Sequence, residues 1–515
     1  YDEPAMHNAN GRLWTPSFNQ NFEKKYGYSP MKYYPALWYD IGPETAAARN
    51  ALYGFRAQLY ADNLVKKLNQ WCDDHGIQLT GHQEQEENVS PVPNSGDLMK
   101  VFENQDTPGV DDIWWWGRSN RGYKIVSSAA ANYDKPVVMG ETYLAYHDLD
   151  DKIALRVAMD QYAMGVNFQI PGPDPKRRPG AAELNRYVGR MSYLLQHGRH
   201  VADIAVLYPI ASLQAAYKFV GGHQSASQAE GPPPQIMSEA YAREGGVPPG
   251  DLDYIDVGEV LYRGLRVDYT YLHPEVLESR CIIDKQKLVL NNKENREEYS
   301  VLIVPGGDTL SAAAARKVKE FYDGGGTVIA TSELPHLSAE FGRDMEVQQE
   351  IGEVFGIPVD DPVTADVRRV TSGAQNLYVY FYFVHRNKAG GQAFFLPRGE
   401  PWLLNTILKQ VLPVRDVDIQ EPMWLLKKGP DYDGALSYIH KVKNGRDIYF
   451  FANSSDKPVD TQVILRGKKD LTIWNPHSGE RGQVQSGHSE VAGQPVTTVH
   501  LVLSPVSSLC YIGDE

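Results

Sequence analysis

The stretch Lys135-Pro136-Val137-Val138-Met139-Gly140-Glu141-Thr142-Tyr143 decides how the chain is read. A short apolar run breaks off at Gly140-Glu141. A carboxylate at the C-terminal end of a buried parallel strand is where a β/α barrel keeps its chemistry. The plainer reading is a loop glutamate capping the next helix, and one motif does not separate the two.

Working outward, residues 1–200 alternate between apolar runs and helical patterns. Residues 46–75 read as one amphipathic helix, with Leu52, Phe55, Leu59, Leu64 and Leu68 near helical spacing and His75-Gly76 as the stop. Residues 77–82 read as a strand and its exit. Residues 96–104 are helical, and 111–115 form a third strand candidate that Asp111-Asp112 opens. Residues 124–132 form a small-residue helix and 136–140 a fourth strand. Residues 151–164 form a helix that Gly165 ends, 166–170 a fifth strand, and 181–197 a last helix. Tyr1-Asp2-Glu3-Pro4 reads as the end of a further strand.

Such alternation means parallel strands with helical crossovers. The spacing matches a (β/α)8 barrel at roughly 30 residues per unit. If Glu3 ends strand four, Glu141 ends strand seven and 166–170 is strand eight. The expectation is therefore a partial barrel over 1–200, holding strands four to eight. An upstream polypeptide segment carrying three more strands would complete it.

Residues 201–420 read as a second α/β domain, flavodoxin-like or amidotransferase-like. Tyr299-Ser300-Val301-Leu302-Ile303-Val304-Pro305 is its most buried strand by composition, and Gly324-Gly325-Gly326 stops the helix over 312–322. That triple glycine lacks the Lys-Ser/Thr of a phosphate cradle and follows a helix instead of opening one. Cys281 lacks a glycine-flanked nucleophile elbow. Residues 224–250, rich in Gly, Pro, Ser and Ala, read as a surface excursion. Residues 421–515 carry short alternating strands separated by turns such as Lys443-Asn444-Gly445, the pattern of a small antiparallel β-sandwich.

Composition bounds the function. The chain of 515 residues has 42% hydrophobic and 23% charged residues, enough for a sizeable core. A formal net charge of −14 argues against nucleic acid and against anionic membranes as partners, and suits a neutral substrate. No apolar run reaches the length of a membrane span. Cys72, Cys281 and Cys510 are widely spaced, without a zinc or redox motif. The sequons Asn88-Val89-Ser90 and Asn453-Ser454-Ser455 point weakly to a secreted or periplasmic protein. The 31 tyrosines and 9 tryptophans suit stacking on sugar faces, with core packing as the alternative.

Three acidic groups fall at expected strand ends: Glu3; Glu84, Glu86 and Glu87; and Glu141. Glycoside hydrolysis needs two carboxyl groups flanking the scissile bond, one to protonate the leaving oxygen and one to activate water or attack carbon. Strands four and seven lie nearly across a barrel, so Glu3 and Glu141 could face each other over a sugar. His82, at a strand exit, and Glu84 or Glu86 are candidates for binding hydroxyls or a cation. Glu87 reads as solvated loop. Trp114 and Tyr143 are candidate stacking walls or barrel core. Asp111-Asp112 read as structural.

The order of several short motifs then carries a resemblance. They are Asp2-Glu3-Pro4, Trp14-Thr15-Pro16, Phe22 with Tyr26-Gly27-Tyr28, and the run from His75-Gly76 to Gly81-His82. Gly96-Asp97, Ser127-Ser128-Ala129-Ala130, Gly140-Glu141, Phe451-Ala452-Asn453-Ser454 and Trp474-Asn475-Pro476 continue it. In these the chain resembles the C-terminal portion of the family 106 glycoside hydrolases, the α-L-rhamnosidases. The resemblance implies an inverting, Ca²⁺-dependent hydrolase of α-L-rhamnosides, with Glu3 matching the general acid and Glu141 the general base. It implies a further site glutamate at Glu84 or Glu86, where Gln83-Glu84-Gln85-Glu86 departs from the family's Gly-His-x-Gly-Glu-like run. A retaining β-galactosidase-like enzyme and a non-catalytic carbohydrate-binding subunit are the alternatives.

Overall fold

The computed structural model describes residues 1–4, 6, 15–114, 116–117, 120–146, 149–172, 180–219, 252–359, 368–372, 375–379, 382–397, 400–421 and 432–514. The excursion expected over 224–250 lies outside these, as do Trp14 and Trp115.

Among the described residues, seven α-helices and four strands make the first layer. Helix α1 spans Phe18–Tyr26 and α2 spans Thr45–Tyr60. The latter opens on three buried alanines, Ala46 to Ala48, so it can sit close to its neighbours. A π turn at Ala61–Val65 carries it into α3, Lys66–Asp74, so the expected long helix forms with one wide turn inside it. Gly76, at φ 68°, makes the exit. Strand β1 is Thr80–Gly81, followed by α4 (Leu98–Glu103), β2 (Thr107–Asp112) and α5 (Asn120–Asn132). Then come β3 (Met139–Thr142), α6 (Asp151–Ala163), β4 (Phe168–Pro171) and α7 (Ala181–Leu195). The strands form one parallel sheet in the order β1-β2-β3-β4.

Two strand placements correct the sequence reading. Asp111-Asp112 close β2 instead of opening a strand, because the strand begins at Thr107 and runs through Pro108-Gly109. That pair looks like a breaker in sequence. In the sheet it is required: a Cβ at Gly109 would lie 2.3 Å from the Gly81 carbonyl oxygen and 2.6 Å from Met139 Cε. Glu141 lies inside β3, whose register pairs it with Asp111 on one side and Ile170 on the other.

The two faces of this sheet differ. On the helix side Asp112 accepts hydrogen bonds from Tyr123 Oη, from Tyr146 Oη at 3.1 Å and from Gln161 Nε2 at 3.3 Å. On the opposite face Phe168 and Ile170 are 38% and 40% exposed. Apolar side chains on both faces are the rule in parallel sheets, which are ordinarily covered twice.

The second sheet runs Phe383–Arg386, Gln392–Leu396, Thr327–Thr331, Val301–Val304, Ile204–Leu207, Tyr269–Leu272. All pairs are parallel except the first, at the edge. Helix Ala312–Asp323 ends at the triple glycine as expected, with Gly325 at φ 93°. Cys281 is buried, and burial pushes its thiol up to about 12, which removes it as a nucleophile.

Two antiparallel sheets follow, built on Val459–Arg466 with Gln494–Leu503 and on Leu436–Lys443 with Arg446–Asn453 and Ser507–Asp514. The short strand Arg199–His200, just after α7, pairs with Leu436–Lys443 and ties this layer to the first. Asn453 is fully buried and donates to the Lys457 and Ser504 carbonyls, so its sequon is not a glycan acceptor in the folded chain. Cys72, Cys281 and Cys510 are free and buried. Among the described residues no helix is long and apolar enough to cross a membrane.

Candidate active site

The site assembles at the C-terminal ends of β1, β2 and β3. The N-terminal residues lie along β1: the Tyr1 ammonium donates to the Thr80 carbonyl at 2.9 Å. Gly81 makes room for them, since a Cβ there would fall 2.2 Å from the Tyr1 carbonyl oxygen. The Tyr1 phenol accepts from Gln83 Nε2 at 2.8 Å and donates to Gln105. Tyr60 Oη donates to the Pro4 carbonyl. These anchors pin Asp2 and Glu3, and Glu3 is held at φ 36°, an unfavourable backbone region for a residue with a Cβ.

His82 follows Gly81 and is almost fully buried. Its Nε2 stands 2.8 Å from Glu141 Oε2 and 3.5 Å from Asp2 Oδ1. A carboxylate accepts, so Nε2 carries the proton in that 2.8 Å bond. Nδ1 is buried with no hydrogen-bond partner among the described residues. Donor and acceptor atoms of Glu3, His82 and Asp111 lie within 4.8 Å of one another, as do those of Asp2, His82 and Glu141. Two carboxylates expected to work together, Glu3 and Glu141, therefore border one imidazole.

Burial separates the acids. Asp111 is 7% exposed, and burial, its contact with Glu3 and the charge of Glu141 push its carboxyl up to about 9. Glu84 is half-buried and rises to about 7 through burial and then the charges of Glu3 and Glu87. Glu86 is buried below the site and is pushed far up by burial. It accepts from the Gln83 amide at 2.6 Å and the Asp111 amide at 3.4 Å, the contacts of a group that braces backbone. Of the two glutamates left open by the sequence, Glu84 is thus the one beside Glu3.

The aromatic candidates also part. Trp114, just past β2, is 44% exposed. Tyr143 is buried, at φ 76°, and its hydroxyl donates to the Ala154 carbonyl at 2.8 Å. It packs with Ala154 and Val157 of α6, so it is core and not a wall for a sugar. Asp111 and Asp2 are the members that sequence reasoning missed. The signal for Asp111 was present: an acid two residues past Gly109 points to the same side of a strand as Gly109 does.

A calcium ion takes six to eight oxygen ligands. Here the group shared by both triads is a nitrogen, already engaged with Glu141. Among the described residues this set does not fit a calcium shell.

No family model matches the sequence, and no curated protein matches it. Solved structures do. A rhamnosidase from Novosphingobium sp. PP1Y superposes with a TM-score of 0.63 at 18% identity, over 98% of this chain and 43% of that one. Gan42B, a GH42 beta-galactosidase from G. stearothermophilus, superposes with 0.60 at 13% identity, over 97% and 75%. An exo-carrageenase GH42 from Bacteroides ovatus gives 0.53 at 12%, over 97% and 62%. The chain shares the fold of glycosidases. It spans less than half the length of the rhamnosidase.

Proposed function

We propose that the chain is a glycoside hydrolase that cleaves terminal α-L-rhamnosides with inversion. The observation that carries this reading is the convergence on His82 of Glu141, from β3, and Glu3, which lies in no strand but in the N-terminal segment along β1. Glu3 protonates the glycosidic oxygen as the bond to the anomeric carbon breaks. Glu141, oriented by the His82 hydrogen bond, takes a proton from the water that attacks the opposite face. Glu84 and Trp114 border the sugar. The choice of rhamnoside rests on the motif order described above and is supported by the likeness to the rhamnosidase along nearly the whole chain.

A retaining galactosidase-like reading is favoured by the GH42 superpositions. The two differ in product. An inverting pair stands about 6.5–9.5 Å apart and a retaining pair about 5–5.5 Å. Hydrolysis of 4-nitrophenyl α-L-rhamnoside, followed by proton NMR, should release β-L-rhamnose first, and Glu141→Gln should abolish release. First release of the α anomer, or full activity in the variant, would overturn the proposal.

The same proposal has strands from a further polypeptide segment cover the inner face of β4. Exposed Phe168, Ile170 and Leu144 support it, as does the edge position of β4 in its sheet. A carbohydrate or glycoside is the partner proposed for the site itself, in a secreted or periplasmic setting.

A further inference from the structure

Glu3 is exposed and must nevertheless deliver a proton. A lone carboxyl in water is ionised at neutral pH and has none to give. One group beside Glu3 is itself a buried acid. Asp111 projects from β2 beside Glu141, its register partner, and is buried. No N–H or hydroxyl among the described residues reaches its Oδ1. What its carboxyl meets is the carboxyl of Glu3. The other titratable groups facing Asp111 are His82 and Glu86 from the segment after β1, Asp112 from its own strand and Glu141 from β3. Of these only His82 can carry positive charge, and its Nε2 is committed to Glu141.

We propose that Asp111 is the positioning residue for Glu3: the two neighbouring carboxyl groups hold one proton between them, and the buried member keeps that proton on the pair until Glu3 passes it to the leaving group. Two ionised carboxylates cannot share such a contact, whereas one protonated and one ionised carboxyl can. The upward displacement of Asp111 agrees with this. In the step itself the O–H bond of Glu3 breaks and the new O–H forms on the leaving oxygen, which takes the electron pair of the cleaved C–O bond. The pair is left with two negative charges and regains its proton from solvent. The inference rests on Glu3 being the general acid.

The test is Asp111→Asn, whose amide donates to Glu3 and favours its ionised form. For an alkyl α-L-rhamnoside, kcat/KM at pH 7 should fall about 100-fold or more, within the range of general acid catalysis. For a 2,4-dinitrophenyl rhamnoside, which needs no protonation, the fall should stay below about 5-fold. The alkaline limb of the pH profile should move to lower pH, and Asp111→Glu should restore part of the alkyl rate. Equal losses on both substrates, or an unchanged profile, would overturn the role. Glu3→Gln separates the two claims: no dependence on leaving group in that variant refutes the general acid itself. Carbon-13 NMR of labelled carboxyls reads the proton without turnover. A protonated carboxyl signal that Asp111→Asn removes should persist above pH 7 in the parent and shift to lower pH in Glu3→Gln. Its absence in the parent would overturn the inference even if the chain cleaves nothing.

Discussion

His82 Nε2 donates to Glu141 Oε2 at 2.8 Å across 59 positions of sequence. The imidazole is buried and the carboxylate is 27% exposed. A fixed inner partner therefore holds one oxygen of a group that faces solvent. In the proposed reaction this orients Glu141 toward water. His82→Ala should lower kcat about 10- to 100-fold with KM within about 3-fold, since the bond serves the base and not the sugar. Steady-state kinetics check it. A rise in KM alone would place His82 on the substrate instead.

Gly81→Ala should damage the acid side selectively. Its Cβ would collide with the Tyr1 backbone, which cannot move without shifting Asp2 and Glu3. Crowding of this kind costs about 1–3 kcal/mol. The expected outcome is a large loss of turnover with a small loss in the thermal midpoint. Retained turnover would show that Glu3 tolerates displacement.

His200 predicts a pH-dependent stability. Its partial burial opposes its charge, but Glu297 and Asp268 outweigh that and raise its value to about 9. Its Nε2 lies 2.7 Å from Asp268 and its Nδ1 3.2 Å from Glu297. A histidine raised on folding adds stability fully present below its unfolded value near 6.5 and lost as pH climbs through 9. The contribution is on the order of 3 kcal/mol. His200→Gln should therefore lower the urea midpoint clearly at pH 6 and much less at pH 10. Equal losses at both values would show that the ring packs without carrying charge.

Phe168→Lys with Ile170→Lys should change the stability of this chain by no more than about 0.5 kcal/mol, because both side chains are already exposed. The pair should reduce binding of a hydrophobic dye and self-association, as charges on an apolar edge strand do. Chemical denaturation and light scattering give the two readings. A loss above about 2 kcal/mol would mean that the inner face of β4 is packed in solution.

Much of this was legible in the chain itself. The long helical run from α2 to α3 with its stop at Gly76, the alternation of strand and helix to residue 200, the helix stop at Gly324 to Gly326 and the carboxylate after Val137-Val138-Met139-Gly140 all follow from local rules of spacing and capping. Those rules act within a few residues, so they survive without knowledge of the fold. The site did not follow from them. Pro108-Gly109 reads as a break until Gly81 and Met139 are brought against it, and only then does Asp111 become a strand-end acid. Tyr143 reads equally as a sugar wall or as core until α6 covers it. Glu84 and Glu86 are two residues apart, yet one borders Glu3 and the other braces backbone beneath Asp111. Burial and strand register decided each of these, and both depend on contacts between residues far apart in the chain. Sequence determined which elements form; packing between them determined which carboxyl groups meet at His82.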